Sequence, residues 1–284
     1  MMSKGEYNAE ETQAVISVLA ELLTYLGVYR ENIVLIGGWV PFFLTQDSAS
    51  EEPHVGSLDV DLALNASKIS DAVYARIEEI LKKRSFMHRL DSKGDPVPHS
   101  FIRQVKNTSG QDLDVRVDFL APEYGGTPKS KRHQRIHGLL AHKARGSDLV
   151  FEHCYEKVID AVLPNGARRQ VKVKIADPLA CVVMKAIAFR DRGNEKDAYD
   201  LYTILKYCPG GKECVAEGIK LNNSTKLIQE TLDVLRSEFA SIDSLGPVSV
   251  ADFMEETEPT ARSIRCRDVF ESVQSVLTLI NEKI

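Results

Sequence analysis

Apolar residues recur with two different periods along the first half of the chain. Residues 9–27 place them about every 3.6 positions, which predicts an amphipathic helix. Residues 33–36 are all apolar and stop at a double glycine, as a short buried strand would. Residues 57–64 alternate polar and apolar, which predicts a strand with one polar face. The same rules predict a helix, a strand, a turn and a strand at residues 67–84, 99–105, 107–110 and 113–120.

The second half of the chain is mainly helical in pattern. A strand is predicted over residues 169–175, and Asp177-Pro178 is typical of a helix start. Helices are then predicted to about residue 192 and over 195–207, with a break at Gly193-Asn194, and residues 212–284 keep a helical period. The pattern predicts an α+β protein with a mixed sheet.

Three segments follow from this pattern. We expect an α/β domain over residues 1–125, a basic connecting segment that completes the core over 126–175, and a helical domain over 176–284.

Composition narrows the function classes. The 284 residues carry 36 Lys+Arg against 41 Asp+Glu, a formal charge of −5, so any nucleic-acid site must be a local patch. No apolar stretch reaches the ~20 residues of a membrane span, and the N-terminus lacks a secretory signal, so we expect a cytoplasmic protein without membrane contact. Five scattered cysteines without a CxxC pair are expected to be reduced thiols.

Candidate chemistry begins with Asp59 and Asp61. Residues two apart on a strand share a face, with Cα atoms roughly 6.5–7 Å apart. Two carboxylates at that spacing suit Mg²⁺ or Mn²⁺, including two-ion sites. Alternating acids on an exposed strand are the competing interpretation.

Three further features support a catalytic role for Asp59 and Asp61. Gly37-Gly38 could bring backbone N–H groups close to a phosphate, or form only a tight turn. Ser57 shares parity with the aspartates, and its hydroxyl could bind a terminal phosphate. Asp118 lies in an otherwise apolar strand end, where a carboxylate needs a partner, and Asp114 of equal parity competes with it.

Together these residues resemble the polymerase-beta-like nucleotidyltransferase superfamily, which has a GG or GS turn, a DxD/E pair and a later strand carboxylate. The resemblance implies that Asp59 and Asp61 bind both of two metal ions. It implies that Asp118 completes one metal site and orients the acceptor oxygen. The implied reaction transfers a nucleoside monophosphate from an NTP.

A second motif lies in the helical half. Lys185, Ala188, Arg192, Lys196-Asp197 and Asp200-Leu201 resemble the K-x-x-A…R…KD-x-x-DL pattern of AbiEii-type nucleotidyltransferase toxins. The resemblance implies a bilobed enzyme with its active site in the cleft, Lys185 on the triphosphate, Asp197 in support, and Arg192 as a further nucleotide contact. Solvated helix charges are the competing interpretation.

A basic cluster separates the halves and could bind an RNA backbone, or be solvated surface. Its spacing of His133 and His137 resembles zinc ligation, but no other ligands accompany the pair, so zinc is not expected. The cluster comprises Lys129, Lys131, Arg132, His133, Arg135, His137, His142, Lys143 and Arg145.

The leading hypothesis is a metal-dependent nucleotidyltransferase toxin that modifies RNA, with tRNA favoured, and is restrained by an antitoxin. The alternatives are a transferase with a small-molecule or protein acceptor, and a nucleotide-binding regulator without turnover. The sequence leaves open the preferred NTP, the acceptor, the antitoxin's action, the oligomeric state and the role of residues 208–284.

Overall fold

A computed structural model describes residues 3–48, 52–65, 68–122, 133–136 and 139–282. Nine strands in these ranges form one mixed sheet. They are β1 Ile33–Ile36, β2 Asp59–Leu64, β3 Phe86–Leu90, β4 Pro96–Lys106, β5 Asp112–Pro122, β6 His133–Ile136, β7 Leu139–Ala144, β8 Cys154–Val162 and β9 Arg168–Ala176. The α-helices are α1 Ala9–Tyr25, α2 Trp39–Thr45, α3 Asp71–Lys83, α4 Pro178–Arg192, α5 Glu195–Tyr207, α6 Gly211–Leu221, α7 Lys226–Glu238, α8 Leu245–Phe253 and α9 Pro259–Asn281.

The sheet has the strand order β3-β4-β5-β2-β1-β9-β8, and β7 pairs with β5 and β6. β2 runs parallel to β5 and antiparallel to β1, while β1 runs parallel to β9. The predicted α+β class with a mixed sheet is confirmed. Strands β3, β6, β7 and β8 are additions to the elements that the hydrophobic pattern predicts.

Helix α1 covers part of the sheet. The side chain of Asn8 caps it by accepting a hydrogen bond from the backbone N–H of Glu11 at 2.7 Å. Its apolar stripe, including Val15, Leu19 and Leu22, is fully buried, and the helix packs on β4, β5, β8 and β9. The 3.6-residue period therefore has the role that the sequence predicts for it.

The helices α4 to α9 pack against one another. Gly193 has φ +62°, a left-handed conformation that glycine adopts without strain, and it separates α4 from α5. Asn194 then caps α5 by accepting from the backbone N–H of Lys196 at 3.0 Å. The predicted break and the helical C-terminal region are both confirmed.

Backbone contacts divide the chain into two compact units. One comprises residues 8–39 and 56–177 and holds the sheet. The other comprises residues 1–7, 40–55 and 178–284 and holds α4 to α9. Among the described residues, no helix combines the length and apolar character needed to cross a membrane.

Candidate active site

Three aspartates lie together on one face of the sheet because of strand register. β2 pairs with β5 so that Asp59 lies opposite Arg116 and Asp61 lies opposite Asp118. Residues two apart on a strand share a face, so all four side chains emerge on the same side. We call these four residues the acidic face.

The register also decides between the two candidates for the third carboxylate. β2 pairs with the stretch of β5 from Arg116 onward, whereas Asp114 lies before that stretch, opposite Gln104 of β4, and is exposed. Asp118, and not Asp114, is therefore the β5 carboxylate beside the β2 pair.

Arg116 neutralises part of the acidic face. Its Nη2 forms an ion pair with Oδ2 of Asp59, and its Nε lies 3.3 Å from Oδ2 of Asp118. The side chains of Asp59 and Asp118 are 36% and 20% exposed, so both carboxylates remain accessible to solvent. A single guanidinium thus pairs with two of the three carboxylates at a partly solvent-exposed position.

Gly37 lies against the acidic face. It has φ +75°, and a β-carbon at this position would overlap Oδ2 of Asp61. The glycine is therefore required both by its backbone conformation and by the close approach of a carboxylate. The neighbouring Trp39 is fully buried and donates its indole N–H to the backbone oxygen of Asp59 at 2.9 Å, which fixes the turn to the start of β2.

Ser57 lies outside the strand in which the sequence places it. β2 begins at Asp59, two residues later than the alternating pattern suggests, so strand parity does not set the direction of Ser57. Gly56, just before it, has φ +81°, and a β-carbon at this position would lie 3.2 Å from side-chain atoms of Thr12 and Trp39. Residues 57 and 58 therefore precede the strand and do not share its alternation of faces.

The residues of the second motif form a buried charged cluster in the helical unit. Lys185 of α4 places its Nζ 3.1 Å from Oδ1 of Asp197 and 2.5 Å from Oδ2 of Asp200, both on α5. The two carboxylate side chains are 1% and 0% exposed. Burial alone would lower the pKa of Lys185, but the two carboxylates outweigh it and raise that pKa.

Asp200 lies at the centre of this cluster. Its Oδ1 accepts hydrogen bonds from Nε2 of His54 at 2.8 Å and from Nζ of Lys196 at 2.9 Å. Burial would raise the pKa of Asp200, but the lysines hold it well below its usual range. Burial lowers the pKa of His54 to about 4, so near neutral pH the uncharged ring donates its Nε2 proton to the carboxylate. We call His54, Lys185, Lys196, Asp197 and Asp200 the buried cluster.

Arg192 joins the edge of the buried cluster. Its Nε and Nη2 donate to the two oxygens of Asp197 at 2.6 and 2.7 Å, while its own side chain is 58% exposed. The structure therefore brings Lys185, Arg192 and Asp197 together, as their spacing suggests. It shows that Asp200 of the same motif also pairs with Lys185, and it adds His54, for which the sequence offers no signal.

The donor chemistry of the acidic face fits a divalent cation. Its three carboxylates provide hard oxygen ligands, and two of them already share one positive charge with Arg116. In the part of the chain that the structure describes, no three His, Cys, Asp or Glu side chains meet as a ready-made ligand set. A cation that binds there would compete with Arg116 for Oδ2 of Asp59 and Oδ2 of Asp118.

The other expected features lie elsewhere or outside the description. A cavity of about 460 Å³ is lined by residues of α1, β8 and β9. A second cavity, of about 470 Å³, is lined by residues of α9 and of the segment just before it. Neither is lined by the predicted site residues. Apart from Arg145, the side chains of the basic cluster lie outside the described residues, as do those of the candidate zinc pair His133 and His137. RNA binding by this cluster stays a prediction.

Comparison with known protein families identifies the family of the chain. The family model described as "Nucleotidyltransferase" (NTP_transf_8) matches residues 12–204. The chain belongs to this nucleotidyltransferase family, whose match spans both the acidic face and the buried cluster.

The comparisons with solved structures and with curated proteins gave the following results. An antigenic nucleotidyltransferase-like protein from Paracoccidioides brasiliensis has a similar structure, with 19% sequence identity and a TM-score of 0.48. The similarity covers 86% of this chain and 94% of the fungal one. No curated protein matches the chain.

Proposed function

We propose that this protein transfers a nucleoside monophosphate from an NTP to an RNA acceptor and releases pyrophosphate. The observation that carries the proposal is the register of β2 with β5, which sets Asp61 beside Asp118 on the face that also holds Asp59. Family membership supports the general reaction class.

Each part of the acidic face has a role in this proposal. Asp59, Asp61 and Asp118 would hold Mg²⁺ or Mn²⁺, which when bound neutralises triphosphate charge and favours loss of the acceptor proton. Asp118 would also orient the acceptor oxygen, which bonds to the α-phosphorus as the bond to pyrophosphate breaks. Gly37 leaves room beside Asp61, and Ser57 and Gly38 would contact phosphate.

The helical unit would contribute through its motif. Lys185 and Arg192 are proposed to contact the nucleotide, with Asp197 in support. Both cations are hydrogen-bonded to Asp197 in the structure, so a phosphate would have to replace a carboxylate as their partner. Lys185 is only 9% exposed, so its ammonium group would have to move further than the Arg192 guanidinium to reach a phosphate.

Resemblance to the AbiEii-type toxins supports the finer assignment. The stretch from Lys185 to Leu201 carries that resemblance. It favours tRNA as the acceptor, a toxic effect on the cell, and an antitoxin protein as the restraining partner.

A labelling experiment tests the transfer and the acceptor together. Purified protein is incubated with each α-³²P-labelled NTP, Mg²⁺ and total RNA, and label is measured in RNA, protein and small-molecule fractions. Asp118→Asn is compared with Asp114→Asn, which changes an exposed carboxylate on the same strand and of the same parity. We expect labelled RNA with the unmodified protein and with Asp114→Asn, and no label above background with Asp118→Asn.

Other outcomes overturn defined parts of the proposal. Label found in the protein or small-molecule fraction instead of RNA would show that the acceptor is a protein or a small molecule. Calorimetric NTP binding without pyrophosphate release identifies a non-catalytic nucleotide-binding protein. For the toxin assignment, induced expression in bacteria should arrest growth with the unmodified protein and with Asp114→Asn but not with Asp118→Asn, and uninterrupted growth in all three cultures rejects it.

A further inference from the structure

A row of polar side chains crosses four neighbouring strands of the sheet. Asp61 of β2 lies opposite Asp118 of β5, and Asp118 lies opposite Ser100 of β4. β3 continues the row through a side chain, because the Nε of Arg89 lies 3.0 Å from Oγ of Ser100, next to the His88–Phe101 pair and at the point where the register of β3 with β4 shifts. The row therefore extends beyond the acidic face to two residues that the nucleotidyltransferase motifs do not include.

Hydrogen bonds connect this row in one direction. The Nε of Arg89 donates to Oγ of Ser100 at 3.0 Å, and Oγ of Ser100 donates to Oδ1 of Asp118 at 2.5 Å. A guanidinium has no acceptor, so Arg89 must use the lone pair of the serine oxygen. The single hydroxyl proton of Ser100 is thereby left for Asp118.

The hydroxyl of Ser100 is shielded from solvent. It is 1% exposed, so its hydroxyl has almost no access to bulk water. A buried hydroxyl needs a hydrogen-bond partner, and here that partner is a carboxylate, which makes the bond charge-assisted. The contact holds Oδ1 of Asp118 beside Ser100 of β4.

The two oxygens of Asp118 therefore differ. Oδ1 is held by Ser100, whereas Oδ2 is the oxygen beside Arg116, whose guanidinium also pairs with Asp59. Holding Oδ1 limits rotation of the carboxylate and keeps Oδ2 beside Arg116, on the acidic face. Such outer partners commonly orient metal-binding carboxylates.

We propose that Ser100 and Arg89 are positioning residues that orient the Asp118 carboxylate for cation binding and for the acceptor oxygen. The inference rests on the proposed nucleotidyl transfer. Ser100 acts directly on Asp118, and Arg89 acts through Ser100.

The test compares variants in two measurements. Mn²⁺ binding to the nucleotide-free protein is followed by electron paramagnetic resonance, and NMP transfer is followed for kcat and KM. The variants are Ser100→Ala, Ser100→Thr and Arg89→Met. The matched controls are Ser272→Ala, a buried serine of the helical unit, and Arg76→Met, an exposed arginine of α3.

We expect Ser100→Ala to weaken Mn²⁺ binding and to lower kcat by about 10-fold each, with KM for the NTP within about twofold. Ser100→Thr keeps the hydroxyl and should restore both to within about threefold of the unmodified protein. Arg89→Met should give a smaller loss of about threefold, because the serine proton is then free to turn. It also tests the inference if Ser100→Ala fails to fold.

The outcomes separate this inference from the proposed function. Unchanged Mn²⁺ affinity and kcat in folded Ser100→Ala and in Arg89→Met overturns the positioning role while transfer stands. Weaker Mn²⁺ binding in these variants, in a protein that transfers no nucleotide, supports the positioning role and rejects the proposed function. An unmodified protein that binds no Mn²⁺ overturns the inference, because Asp118 then has no cation to be oriented toward.

Discussion

The acidic face and the buried cluster contain similar charged residues under opposite conditions. On the sheet, Asp59 is 36% exposed and shares one arginine with Asp118. In the helical unit, Asp197 and Asp200 are 1% and 0% exposed and are surrounded by lysines, an arginine and a neutral histidine. Solvent access therefore distinguishes two motifs that the sequence alone presents as equally good candidates for function.

This difference in burial implies a difference in role. A carboxylate in contact with water can exchange its partner for a ligand at low cost, because surface ion pairs contribute only about 0–1 kcal/mol. A buried carboxylate cannot lose its cations without leaving charges stranded in a medium of low dielectric constant. We therefore expect substitutions on the acidic face to act mainly on activity, and substitution of the buried Asp200, which has no part in the proposed nucleotide contacts, to act mainly on stability.

The largest expected effect is the loss of activity in Asp61→Asn. The neutral amide keeps the shape of the side chain but removes a charge from the acidic face, so nucleotidyl transfer should fall on the order of 10³-fold or more. The free energy of unfolding in urea should stay within about 0.5 kcal/mol of the unmodified protein, as is usual away from buried networks. A folded variant with near-normal transfer would remove the acidic face from the reaction.

Next in size is the loss of stability in Asp200→Asn. The amide leaves Lys185 and Lys196 without their shared carboxylate in a buried site, and breaking such a network costs about 3–5 kcal/mol. Urea unfolding measures this cost. Asp191→Asn, which changes an aspartate that is 50% exposed on α4, is the control and should change stability by less than about 0.5 kcal/mol. A similar small loss in both variants would contradict the distinction between the two regions.

Much of the fold follows from the sequence because its elements are strongly patterned. β1 and α5 have the bounds that the hydrophobic pattern predicts, and the other bounded elements differ from it by a few residues at most, while the helical stretch predicted over residues 212–284 divides into α6 to α9. The added edge strands do not alternate cleanly. β8 exposes Val158 and Val162, and β3 exposes Met87 and Leu90. A strand with apolar side chains on its solvent side has no clear period of two.

The candidate site is predictable only where residues share an element. Asp59 and Asp61 share a face because they are two apart, but the pairing of Asp61 with Asp118 depends on strand register, which no local pattern contains. The contribution of His54 to the buried cluster depends on a loop folding onto α5. The sequence motif also does not include Arg116, since an arginine between two valines looks like an ordinary solvent-facing strand residue.

A pH experiment sharpens the account of the buried cluster. The pKa of His54 is lowered to about 4 from 6.5, first by burial and then by the nearby lysines, against the opposing effect of Asp200. The unfolded chain therefore takes up this proton before the folded one does as the pH falls. Stability should be complete above about pH 6.5 and should decrease by about 2–3 kcal/mol on going to pH 4.

Urea unfolding at several pH values measures this decrease. His54→Gln replaces the ring N–H donor by an amide N–H donor that does not titrate, so the stability of this variant should vary less between pH 6.5 and 4 than that of the unmodified protein. Parallel curves for the two proteins would show that His54 does not remain neutral in the folded state.

The smallest effect expected is that of Arg116→Gln on cation binding. The variant removes the positive charge that joins Asp59 to Asp118, so a divalent cation no longer has to displace it. Because the three side chains are 20–41% exposed, their ion pairs contribute at most about 1 kcal/mol, which corresponds to about 2- to 5-fold tighter Mn²⁺ binding. Lys106→Gln removes an exposed cation that pairs with Asp112 beyond the acidic face, and it should leave the affinity unchanged. Weaker binding in Arg116→Gln would mean that the guanidinium orients the carboxylates for the cation rather than competing with it, and Arg116 would then belong with Ser100 among the positioning residues.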